Sequence, residues 1–135
     1  KSITIEDSLP EKAKAFLKQA VESLHAPSGA IMLAASSIDS MLKEKGYKTG
    51  KLYGRINKAA KDHIITPEMA KWAHEVRLDA NNERHADDDV GLPDTDEARK
   101  TVDFAIALAE FLFVLPSKIQ QGIMDAKNDE EETST

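Results

Sequence analysis

Apolar residues return every three or four positions along almost the whole chain, a period that predicts helices rather than strands. Ala13, Phe16, Leu17, Ala20, Val21 and Leu24 share one face. Ser8, Pro10 and Glu11 ahead of them supply a cap, a first-turn proline and an acid near the positive dipole end, so a helix is expected to about Leu24. Lys1 to Asp7 is expected to be an extended or frayed lead-in. After the turn His25-Ala26-Pro27-Ser28, the stretch to Lys45 is dense in apolar and small residues: Ala30, Ile31, Leu33, Ala34, Ile38, Met41 and Leu42. It predicts a mostly buried helix, closed by Gly46. From Gly50 to Lys61, Leu52, Ile56 and Ala59 or Ala60 face inward. Lys51, Arg55 and Lys58 form an outward row at i, i+4 and i+7.

Thr66-Pro67-Glu68 opens a fourth helix. Met69, Trp72, Ala73, Val76 and Ala80 make its apolar stripe, and His74, Arg77, Asn81 and His85 a polar stripe roughly opposite; fraying is expected near Asn81 to Arg84. Asp87 to Pro93 reads as a loop, and Asp94 with Glu97 has the spacing of a capping box. The helix from about Asp96 to Leu115 carries two stripes. One is Phe104, Leu108, Phe111 and Leu115; the other is Val102, Ala105, Ile106, Ala109, Leu112 and Phe113. A helix apolar all round is buried all round, so this one is either central or shared with a second copy of the chain. Pro116 is expected to stop or kink it, Ser117 to about Ala126 to add a last helical piece, and Lys127 to Thr135 to be a disordered acidic tail. With no strand-like alternation, repeat or long linker, the expected fold is an all-α bundle of five to six helices in one domain, residues 8–126.

Cysteine is absent, which removes disulfides, zinc–thiolate sites and thiol catalysis and suits a cytoplasmic protein. No apolar run approaches the roughly 18 residues that span a bilayer, so no membrane partner is expected. The chain begins at Lys1 rather than at a methionine, as a piece of a longer protein would. A net charge of −6 taken alone argues against nucleic acid, but its distribution changes that picture. Lys43, Lys45, Lys48, Lys51, Arg55, Lys58 and Lys61 stand against Glu44 alone, while the acids gather at Asp87–Asp89, at Asp94–Glu97 and in the tail. The sum conceals a basic strip.

Arg77, Asn81 and His85 are the strongest candidate site. A histidine can exchange a proton near neutral pH, and a guanidinium fits phosphate oxygens in a bidentate way. Together they have the chemistry to cleave a phosphodiester without a metal, His85 moving a proton and Arg77 neutralising charge on phosphorus. The alternative is structural: Arg77 pairs with Asp79 or an acid of the Asp87–Asp89 run, and His85 ends a helix. His74, one turn before Arg77, widens the candidate site. Leu78 is an apolar residue in a polar stripe and suggests cover by a partner. The acidic run lacks the spaced ligands and glycine of a calcium loop, so no metal is expected. Lys51, Arg55 and Lys58 have the spacing to track phosphates. There is no glycine-rich phosphate loop, GxSxG or HExxH, and no cofactor is expected.

Taken in order, several of these pieces resemble a known family. They are the proline-started apolar helix Ala26–Leu42, GKLYGRINKA at Gly50–Ala59, the Thr66-Pro67 start, Val76-Arg77 with Ala80-Asn81 and His85, and the acid-capped apolar helix ending at Leu115-Pro116. This order resembles the HEPN superfamily (higher eukaryotes and prokaryotes nucleotide-binding), most of all its domain-of-unknown-function 4145 branch, over Leu24 to Ile119. The resemblance implies a helical bundle that forms a homodimer and brings two Arg…His motifs into one cleft. It also implies a metal-independent endoribonuclease of a toxin–antitoxin, abortive-infection or CRISPR system, acting on the RNA 2′-hydroxyl and scissile phosphate. Carried over, it nominates Arg77 and His85 as catalytic and Asn81 as support, with an antitoxin or a larger defence protein as further partner. The spacing from Arg77 to His85 is longer than the family's usual motif, and Leu78 stands where a polar residue is usual. Ala80 replaces a glycine, Asp39 a glutamate, and Ala35 or Ser36 an arginine. The expected function is RNA or nucleotide-phosphate binding at a dimer cleft; the alternative is a non-catalytic dimerisation module of a defence or restriction system. A nucleotide sensor is a third reading.

Overall fold

A computed structural model describes residues 5–78 and 91–133. Among them the only regular structure is helical: α1 (Ile5–Ser8), α2 (Glu11–Glu22), α3 (Pro27–Glu44), α4 (Leu52–Lys61), α5 (Pro67–Glu75), α6 (Thr95–Ala109) and α7 (Leu115–Thr133), with a π turn at Glu110–Val114 joining the last two. The all-α bundle read from the periodicity is the observed fold.

The centre of the bundle is α6, packed on α3 and α2. Phe104, Ala105, Leu108 and Ala109 are fully buried against Ala34, Ile38 and Met41 of α3 and Ala13, Leu17 and Ala20 of α2. The chain itself buries the central stripes of α6, while Ile106 and Phe111 are only partly covered and Leu115 is exposed. The small residues of α2 and α3 bring these helices close. Ser37, fully buried, donates to the Ala13 carbonyl at 2.7 Å, so its hydroxyl is satisfied where water is absent.

Local chemistry sets most of the helix starts. Pro27 opens α3 and Pro67 opens α5, where Thr66 also accepts from the Met69 N–H. Asp94 and Glu97 form the complete capping box at the head of α6. The α3 end is a Schellman turn: Gly46, at φ +99°, lets its own N–H reach Lys43 and the Tyr47 N–H reach Leu42.

Several expectations differ from the structure. The lead-in contains the one-turn helix α1, so Ser8 closes that helix instead of capping α2, whose cap position is Pro10. The fourth helix ends at Glu75, well short of Asn81, because Val76 is already extended (φ −108°, ψ 162°). Extended chain alternates faces, so Val76 and Leu78 both go into the core while Arg77 between them does not. On a helix those two would lie about 200° apart and could not both be inside. Leu78 is therefore covered by its own chain, not by a partner.

Pro116 neither stops nor sharply breaks the last helix. The π turn directly before it bonds the Leu115 N–H back to Glu110, five residues earlier, and this looser winding relieves the clash a proline ring makes with the carbonyl four residues back. The helix then runs to Thr133, where disorder was expected from Lys127 onward. Extending an existing helix costs little, and Ala, Lys and Glu are good helix formers.

Candidate functional site

The extended segment Val76 to Leu78 lies outside any helix, so its backbone groups need partners. Side chains from two helices supply them. Tyr53 of α4 donates its hydroxyl to the Val76 carbonyl at 2.9 Å and accepts from the Leu78 N–H at 3.3 Å. Thr101 of α6, fully buried, donates to the Arg77 carbonyl at 2.6 Å. Arg77 is thus gripped by its main chain from both sides.

Its side chain is anchored too. Arg77 Nη1 meets Glu97 Oε2 at 3.2 Å, with 14% of the Arg77 side chain and 43% of the Glu97 side chain exposed. Nη2 donates to the Gly91 carbonyl at 3.5 Å. Glu97 serves two purposes, because its other oxygen accepts from the Asp94 N–H in the capping box. The structural alternative for Arg77 therefore has an ion pair behind it, with a carboxylate that spacing did not suggest.

His74 stacks on the Tyr53 ring with centroids 5.0 Å apart and planes at 19°. Its Nε2 lies 2.8 Å from Asn57 Oδ1, within hydrogen-bond reach. Tyr53 therefore links the exposed His74 to the backbone on either side of Arg77. Asn81 and His85 lie outside the described residues, as do Asp79 and the Asp87–Asp89 run.

The row Lys51, Arg55 and Lys58 is not a row of outward cations. Lys51 and Lys58 are exposed, but the Arg55 side chain is 10% exposed and turned onto Asp39 at 2.6 Å and the Tyr47 carbonyl at 3.2 Å. Asp39 also holds Lys43 at 2.9 Å. Burial pushes the Asp39 carboxyl up, but hydrogen bonds from Lys43 and Arg55 outweigh that and hold it below its ordinary value. Tyr47 donates to Asp62 at 2.8 Å; desolvation and that bond raise the phenol above its usual value. Helical spacing placed Arg55 on the outward row and did not carry the information that Asp39, on another helix, would claim it.

Sequence reasoning also missed Tyr53 and Thr101. The signal for Thr101 was present: a lone hydroxyl on an otherwise apolar helix face needs an acceptor. Tyr53 sat within GKLYGRINKA without an assigned task. No group of carboxylates and histidines among the described residues is arranged to hold a metal ion.

Around Trp72 lies a cavity of about 390 Å³, walled by Met69, Phe111 and Leu115 and rimmed by Lys118 and Glu110. Trp72 packs edge-on to Phe104 at 5.3 Å. No described helix is long and apolar enough to cross a membrane.

These features define an all-helical bundle with an anchored arginine between α5 and α6. A family model, Domain of unknown function (DUF4145), matches residues 18–126, most of the chain, and the chain belongs to that family. No curated protein and no solved structure matches it.

Proposed function

We propose that this domain binds RNA or another nucleotide phosphate through Arg77, as a HEPN-type component of a cytoplasmic prokaryotic defence or stress system. The supporting observation is the pre-set arginine. Tyr53 and Thr101 fix its backbone, and a side chain already ordered loses less entropy on binding. A guanidinium offers five donors in a plane, enough to keep Glu97 and still meet phosphate oxygens. His74, Asn57 and Lys58 are exposed nearby along α4 and α5 and extend the polar surface, with Lys51 at the head of α4. Arg55 is left out of this set because Asp39 holds it. In the HEPN reading, His85 moves the proton, Asn81 orients the substrate, and two protomers form one cleft that cleaves RNA without a metal.

A second reading has its own observation. An arginine joined to a helix-capping glutamate is also a structural staple, which suits a non-catalytic interaction module of a larger defence or restriction protein, or one held by an antitoxin.

Anisotropy of a labelled single-stranded RNA in low salt with chelator separates the two. Arg77→Ala is expected to weaken binding by about tenfold or more, roughly 1.4 kcal/mol. Glu97→Gln keeps a cap-competent side chain but removes the competing charge, so it is expected to bind more tightly than the original chain. Equal affinity for all three proteins would end the phosphate reading. For catalysis, Arg77→Ala and His85→Ala should abolish chelator-resistant RNA cleavage and any toxicity in cells; unchanged cleavage and toxicity would sink it.

A further inference from the structure

We infer that α7 is a self-association arm, on which a second copy of this chain docks antiparallel, the two arms crossing at Gly122. This goes beyond the phosphate reading and does not rest on it.

The arm packs chiefly on the π turn at its own root. Beyond that root Leu115, Ile119, Gly122, Ile123 and Ala126 fall within about 120° of one another on the helix, the width of a core-facing stripe. Yet Leu115 is 45% exposed, Ile119 51% and Ile123 44%. The stripe leads into the Trp72 cavity without a break, since Leu115 and Lys118 belong to both. Trp72 itself is 40% exposed. One continuous apolar track therefore runs from the cavity along the arm, with nothing in the described chain to cover it.

Symmetry and charge select the occupant. The stripe has its smallest residue, Gly122, near its middle, where two helices related by a two-fold axis approach most closely. The root carries Lys118, whereas the far half carries Asp125, Asp129, Glu130, Glu131 and Glu132 against Lys127. Parallel arms would set the acidic tips side by side. Antiparallel arms crossing at Gly122 bring Lys118 beside Asp125 of the second copy, because both lie on one edge of the stripe. They also bring Ala126 of the second copy opposite Lys118, at the edge of the Trp72 cavity. Asp125 already accepts from Gln121 at 2.9 Å, so its carboxylate is held for that contact.

Sedimentation velocity on the full chain, from about 5 to 200 µM, tests this. The expected result is a particle of twice the 14.9 kDa chain mass. Ile119→Lys with Ile123→Lys should weaken association at least tenfold, whereas Met124→Lys, on the far side of the same helix, should not. Lys118→Glu should weaken it and Lys118→Glu with Asp125→Lys should restore it, a rescue that misfolding cannot mimic. Because the chain has no cysteine, Gly122→Cys should give a disulfide-linked dimer on mild oxidation and Glu131→Cys should not. A monomer over the whole range, a dimer indifferent to the stripe, or efficient linkage at Glu131→Cys with none at Gly122→Cys would each overturn the arm. Arg77→Ala should leave the dimer intact, so failure here and failure of RNA binding are separable.

Discussion

Asp39 shows how much one residue can redirect. Spacing along α4 assigns Arg55 to the surface with Lys51 and Lys58, but Asp39 on α3 draws it inward and shares itself with Lys43. The Arg55 Nε is buried without a hydrogen-bond partner, so this guanidinium depends on the carboxylate it has. Asp39→Asn is expected to cost about 1–3 kcal/mol in urea unfolding at neutral pH. The pH dependence follows from the depressed carboxyl. Its stabilisation is fully present above the unfolded value, near 3.9 for an ordinary aspartate, and is lost as pH falls through the lower folded value. Stability measured from about pH 5 down to 2 should therefore fall less steeply in Asp39→Asn than in the original chain. Leu78 teaches a related lesson. On a helix it is an anomaly; in extended chain the same residue is an ordinary member of the core.

Helix starts were legible in the sequence because their chemistry is local. Pro27, Thr66-Pro67 and the Asp94/Glu97 box each act within four residues, and each stands where the pattern put it. Asp94→Ala should cost about 1 kcal/mol. Differential scanning calorimetry can read it as a lowered Tm, and the Arg77–Glu97 contact should loosen with the cap. Helix ends were harder to read. The α5 end depends on Tyr53 and Thr101, which come from 23 and 24 residues away in sequence and offer the backbone what another helical turn would have offered. No window around Glu75 contains that information. The anchored arginine was legible as a residue and not as a geometry, for the same reason.

At the scale of the molecule, α6 joins nearly everything described. Its core includes residues of α2, α3, α4 and α5, and Trp72, the only tryptophan, rests edge-on against Phe104 at its centre. Phe104→Ala is expected to cost about 3–5 kcal/mol, since a fully buried ring is replaced by a void. Trp72 fluorescence should report the loss directly, and its unfolding curve should coincide with that of far-UV circular dichroism if α6 couples the bundle as its contacts indicate. The double apolarity of this helix was plain in the sequence. That its own chain would cover Phe104, Ala105, Leu108 and Ala109 completely and Ile106 only in part was not, because a one-dimensional pattern does not say whose surface faces it.

The π turn at Glu110–Val114 also works as a phase setting. Winding five residues loosely turns the chain about a quarter-turn less than an α-helix of the same length would. Every residue from Leu115 onward inherits that offset. Were the turn to tighten, the arm would keep its axis and its composition, but its stripe would swing round the helix away from Trp72. The compass bearing of the arm is thus written in five residues that touch none of its tip, next to a proline whose ring needs the slack they provide.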